Sequence, residues 1–139
     1  MTNLGVIENR IGLIKKYLKI LEDFKSKSKT DLEKDVILKG ALERYLYLVT
    51  QGVLDLAEAI IAFKGFRKPP FYSANFEVLK EEKFLAASLA EALSKMAGFR
   101  NVLAHDYAKI DFGIVYGILQ NGLGDIQMFI DQVQSKLAK

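Results

Sequence analysis

LERYLYLVTQGVLDLAEAI, residues 42–60, sets the reading of everything around it. Leu42, Leu46, Val49, Val53, Leu56 and Ile60 recur at alternating four- and three-residue steps, which lays one apolar stripe along an α-helix. Upstream, Thr30 followed three residues later by Glu33 reads as a capping box. The spacing therefore predicts one helix from Thr30 to about Phe63, roughly 45 Å long at 1.5 Å per residue. Gly40 and Gly52 inside it read as points where a neighbouring helix can approach closely.

Helical periodicity extends to both sides. Leu4, Ile7, Ile11, Ile14, Leu18 and Leu21 form the stripe of a first helix, separated from the long one by the polar run Lys25–Lys29. Gly65, Pro69 and Pro70 break the pattern and mark the one extended connection. A short helical turn is expected from Ser73 to about Leu79. A further helix is expected from near Lys83, carrying Ala86, Leu89, Leu93, Met96 and Leu103. Asp111 is placed to cap a last helix, with Val115, Leu119, Ile126, Ile130, Val133 and Leu137 inward and a kink expected at Gly122 and Gly124. The expected fold is all-α: an antiparallel, up-and-down four-helix bundle with one additional short helix, formed as a single domain over residues 1–139.

Composition narrows the function classes. The chain has 139 residues, 50% of them hydrophobic and 27% charged, enough to bury a real core. No uninterrupted apolar run approaches the roughly 18 residues of a membrane span, and residues 1–10 lack the pattern of a secretory signal. A cytoplasmic location with no membrane partner is expected. There is no cysteine and one histidine, so no thiolate metal site exists and neither a dedicated metal nor another cofactor is expected. A net charge of +3 is compatible with RNA as a partner and weak as an argument for it.

That one histidine lies in Arg100-Asn101-Val102-Leu103-Ala104-His105-Asp106-Tyr107. Arg100 continues the stripe of Leu89, Leu93 and Met96, a charge where the pattern asks for an apolar side chain. At 100° per residue Tyr107 falls about 20° from Arg100, whereas His105 falls about 140° away and shares its face with Asn101. Three routes remain for bringing Arg100 and His105 together: local unwinding of the helix, the reach of the arginine side chain, or a second copy of the chain. The third suits RNA cleavage by the 2′-hydroxyl, which needs a base and an acid near neutral pH. A two-fold dimer supplies two imidazoles, and Arg100 supplies positive charge for the phosphate.

Phe99–Tyr107 resembles the arginine, four residues, histidine, one residue, tyrosine pattern of the HEPN superfamily, and most closely its HepT-like toxins. The likeness spans almost the whole chain, including Leu54-Asp55-Leu56-Ala57, the proline loop before Phe71-Tyr72, and Lys109-Ile110-Asp111. It implies an all-helical, metal-independent ribonuclease toxin that dimerises through its motif helices and pairs with an MNT-type nucleotidyltransferase antitoxin. By position it makes Arg100 and His105 catalytic and Tyr107 the residue to which the antitoxin transfers AMP from ATP. Asn101 also matches the family pattern, as a phosphate or histidine partner, and so does Asp106, as a helix-end or dimer contact.

Plainer readings stand beside these. Arg100 can bridge helices through Glu43 or Asp55, and Asp55 can orient Arg100 or be merely solvated. Tyr45, Tyr47, Phe71 and Tyr72 are read as packing residues before base-stacking ones. Lys64, Arg67 and Lys68 are read as a solvated basic loop before a phosphate contact. The alternative function is a non-catalytic subunit that holds a nucleotide or substrate for a nucleotidyltransferase. It is distinguished by having no specific need of His105.

Overall fold

The computed structural model describes residues 3–105 and 111–137, without the side chain of His105. Every regular element among these residues is helical. Helix α1, Asn3–Lys25, buries Ile7, Ile11, Ile14, Leu18, Leu21 and Phe24, while Leu4 at its start is left partly exposed. It lies against the helix that contains residues 42–60. A Cβ on Gly52 would meet Ile14 Cγ1 at 3.1 Å, so the glycine marks the close approach; Gly40 has open space around it and plays no such part.

The expected helix from Thr30 to Phe63 is two helices. Ser28, not Thr30, is the first cap, its hydroxyl accepting from Asp31 N–H at 3.1 Å, and α2 runs only from Lys29 to Lys34. Asp35 then adopts extended backbone angles, and its carboxylate accepts from the N–H groups of Ile37 and Leu38 at 3.0 and 3.1 Å. A short carboxylate competes with the carbonyl ladder for these donors and starts a new helix, α3, Val36–Lys64. The stripe from Leu42 to Ile60 is buried throughout. Each leucine or isoleucine so enclosed contributes about 1.5–3 kcal/mol. By length and hydropathy α3 could cross a membrane; here it is the central core helix of the bundle. Gly65, at φ 70°, ends it in the left-handed conformation that favours glycine.

After the proline loop come a 3-10 turn at Tyr72–Ala74, α4 at Asn75–Glu81, and α5, which begins at Ala87 and not near Lys83. The expected single helix through the motif is interrupted after Ala97, and α6, Arg100–His105, is a separate element. Asp111 caps α7, Phe112–Gly117, as expected, accepting from Gly113 N–H at 2.8 Å. The expected kink is a π-helical turn at Ile118–Gly122, after which α8 runs from Leu123 to Leu137. A Cβ on Gly122 would come within 3.0 Å of Met96 Cε, so this turn presses against α5. Phe76 of α4 packs edge-on against Phe129 of α8, ring centres 5.7 Å apart. The bundle's four rods are thus α1, α3, α5 with α6, and α7 with α8; where one extra short helix was expected there are two, α2 and α4.

Candidate active site

Gly98 and Phe99 set the direction of the motif helix. Gly98 N–H is shared between the carbonyls of Ser94 and Lys95, and Phe99 N–H bonds Met96 at 3.0 Å, three residues back. Bonds of this i to i−3 type tighten the turn and rotate α6 relative to α5. Leu103 then seats in the core at 1% exposure, and Arg100, partly buried, turns toward α3.

Five side chains form one network there. Arg100 Nε donates to Gln51 Oε1, and Arg100 Nη1 donates to Asn101 Oδ1 at 2.9 Å. Gln51 Nε2 donates to Asp55 Oδ1 at 2.9 Å and to the Tyr72 hydroxyl at 3.1 Å, while that hydroxyl donates to Asp55 Oδ1. Gln51 and Asp55 are four residues apart on α3 and share a face for that reason. Burial, the hydrogen bond to Asp55, and the negative charges of Asp55 and Glu58 push the Tyr72 phenol far above its ordinary range, with Arg100 acting weakly the other way. Tyr72 is therefore a neutral donor at physiological pH.

This arrangement decides between the readings of Arg100. No carboxylate lies within ion-pair distance of its guanidinium among the described residues. Asp55 reaches it only through Gln51, and Glu43 Oε2 is buried with no hydrogen-bond partner among the described residues. Two neutral amide oxygens hold Arg100. They fix the geometry of a guanidinium without cancelling its charge, so the positive charge stays available to an anion.

Asn101, exposed, is a partner of Arg100 in this arrangement. His105 belongs to α6 by its backbone. Its side chain, together with Asp106 and Tyr107, lies outside the described residues, as does the choice among the three routes to Arg100. Sequence reasoning missed Gln51 and Tyr72. The first carried a signal, since it precedes Asp55 by one helical turn; the second is brought in by the fold from 21 positions away. Of the four aromatics read as packing residues, Tyr45, Tyr47 and Tyr72 pack against the core, but Phe71 is 70% exposed. Pro69 just before it is buried, whereas Pro70 and Phe71 itself are exposed. Arg67 is engaged by Glu81, at 2.6 and 3.0 Å, and tethers the same loop to α4.

The sequence profile of the HepT-like ribonucleases matches residues 14–133. The chain belongs to that family, a class of RNA-cleaving enzymes within the HEPN superfamily. It is 30% identical over 140 residues to the tRNA nuclease HepT of Aphanizomenon flos-aquae, covering 99% of this chain and 95% of that one. It is 25% identical over 131 residues to the mRNA nuclease HepT of Shewanella oneidensis, covering 94% and 98%. Among solved structures it resembles the tri-AMPylated Shewanella oneidensis HEPN toxin in complex with MNT antitoxin, with a TM-score of 0.85, 25% identity, and 94% and 97% of the two chains covered.

Proposed function

We propose that this chain is the toxin of a toxin–antitoxin pair: a metal-independent endoribonuclease that cuts RNA at a cleft between two copies and is silenced by AMP placed on Tyr107. The observation that carries the reading is the state of Arg100, a half-buried cation held by amides instead of a carboxylate. A structural arginine is ordinarily neutralised by its partner. One kept charged beside the sole histidine's helix suits the phosphate of a bound nucleic acid.

In this reading one His105 takes the proton of the RNA 2′-hydroxyl as that oxygen forms its bond to phosphorus. The bond from phosphorus to the 5′-oxygen breaks, and His105 of the second copy gives that oxygen a proton. The products carry a 2′,3′-cyclic phosphate and a 5′-hydroxyl. Arg100 stabilises the pentacoordinate phosphate, where negative charge is greatest. Asn101 positions Arg100, and Asp106 supports the helix end or the dimer. Silencing occurs when the Tyr107 phenol oxygen attacks the α-phosphorus of ATP on a nucleotidyltransferase antitoxin and pyrophosphate leaves. The attached AMP brings an anion that competes for Arg100.

The deciding experiment is cleavage of total RNA in EDTA by the purified, unmodified protein beside His105→Ala, with the product ends analysed. Cyclic phosphate ends made by the wild type alone are expected. Equal cleavage by His105→Ala would sink the catalytic assignment, and no cleavage by a folded, unmodified wild type would favour the non-catalytic binding subunit.

A further inference from the structure

A cleft of about 480 Å³ opens beside the Arg100 network, between the last turns of α3, the proline loop and the start of α4. Its size falls within the range of small-molecule sites, about 300–1,000 Å³. Tyr72 belongs to both places. It lines the cleft, and its hydroxyl bonds Asp55 and Gln51, the latter holding Arg100.

Three features of the cleft lack a structural purpose. Phe71 lines it at 70% exposure, an aromatic ring kept out of a core that takes in most of the other large apolar side chains. Pro69 and Pro70 restrict the backbone before Phe71, and its carbonyl accepts from Ala74 N–H at 3.0 Å, so the main chain that carries the ring is set before any ligand arrives. Asn75 also lines the cleft. It is 3% exposed, and its Nδ2 has no hydrogen-bond partner among the described residues. A buried amide left this way is destabilising unless something pairs with it. Finally Lys68, with no ion pair among the described residues, and Glu58 stand at the same cleft, offering a cation and a pair of acceptor oxygens.

A flat ring to stack on, an unpaired amide and a nearby ammonium suit a nucleotide: a base face, a base edge and a phosphate. An apolar peptide would make no use of Lys68, and a bare phosphate would make no use of Phe71. We infer that this cleft is a nucleobase subsite, which takes one base flanking the scissile phosphate, stacks it on Phe71 and pairs its edge with Asn75. The inference rests on the RNA-cleaving reading of the Arg100 site and deepens it: the subsite is the part of the enzyme that reads the RNA, one tyrosine away from the part that cuts it.

The test is binding, measured on the full chain carrying His105→Ala so that RNA stays intact. The probe is a fluorescent oligoribonucleotide spanning a cleavage site mapped with the wild type, or a mixed-sequence oligoribonucleotide if the wild type cuts nothing. Matching probes lack the base at one of the flanking positions. Adding Phe71→Ala is expected to weaken binding of the intact probe about ten-fold, the scale of one lost base stack. It should leave unchanged the binding of the probe that lacks the stacked base. Phe71 is exposed, so the substitution leaves the core intact, as circular dichroism would verify. Equal affinity with and without Phe71→Ala, an equal loss on every abasic probe, or no RNA binding at all would overturn the subsite. Wild-type cleavage is read separately. Cutting with no Phe71 effect on binding removes the subsite and keeps the nuclease, whereas a Phe71 effect without cutting does the reverse.

Discussion

Arg100 Nε donates to Gln51 Oε1, joining the motif helix to the middle of α3 across 49 positions of sequence. The bond makes the orientation of Arg100 depend on a neutral residue that no arginine–histidine motif contains. Gln51→Leu removes this acceptor and keeps the volume. A hydrogen bond to a charged group contributes about 1.5–3 kcal/mol, so kcat should fall about 10- to 100-fold with helicity unchanged. Gln51→Glu should be as slow or slower, because a carboxylate there neutralises the cation. Steady-state cleavage by the two variants checks this, and an active Gln51→Glu would mean that the charge of Arg100 is not used.

A cleft that draws one histidine from each copy predicts that His105→Ala acts on the wild type in mixed dimers. Wild-type chains mixed with an excess of His105→Ala and allowed to exchange subunits should lose activity in proportion to the mixed dimer formed, because such a dimer keeps a single imidazole. A verified mixed dimer that retains half of the wild-type rate would mean that each chain works with its own histidine alone.

Tyr107→Phe removes the proposed AMP acceptor while keeping the ring. Incubated with ATP and a cognate nucleotidyltransferase, the wild type should gain the mass of AMP and lose nuclease activity. The variant should gain none at that residue and stay active. Inhibition of the variant to the same degree would mean that the antitoxin acts by binding alone.

Glu43 is 6% exposed and burial raises its pKa above the ordinary carboxylate value, with Lys39 only partly offsetting this. Because the folded value lies above the unfolded one, the neutral form is the one the fold tolerates. Its contribution to stability is complete below about pH 4.5 and is lost as the pH rises through the elevated value. Glu43→Gln should therefore raise Tm at pH 7 and make no difference at pH 4. Melting curves across that range are the check, and a gap that widens on acidification would reverse the assignment.

The bundle was legible because its stripes are long: Leu42 to Ile60 and Ile7 to Leu21 are buried as their spacing requires. The breaks at Asp35 and Gly98 were not. A stripe reports which face is apolar and continues across an interruption that keeps the face in register. Asp35 announces itself only through two backbone donors, and Gly98 through a shared carbonyl bond. At the site Arg100 stood out as a charge in an apolar position, which made it findable. Gln51 is an ordinary polar residue on a long helix, and Tyr72 reaches Asp55 across 17 positions, a contact fixed by how the proline loop folds back. Phe71 was misjudged because residue type says that an aromatic packs, while in the loop it is the neighbours Pro69 and Tyr72 that turn inward and Phe71 that is left exposed.

The π-helical turn at Ile118–Gly122 has a meaning for the chain's tolerance of change in length. Hydrogen bonds that span five residues instead of four hold one residue more than an α-helical turn needs. That surplus is slack. Removing Asn121, which is exposed, would let the ladder close as ordinary α-helix while α7 and α8 keep their faces toward the core. The same deletion inside α3 would turn every later side chain of that helix by about 100°, moving Gln51 or Asp55 away from its partners.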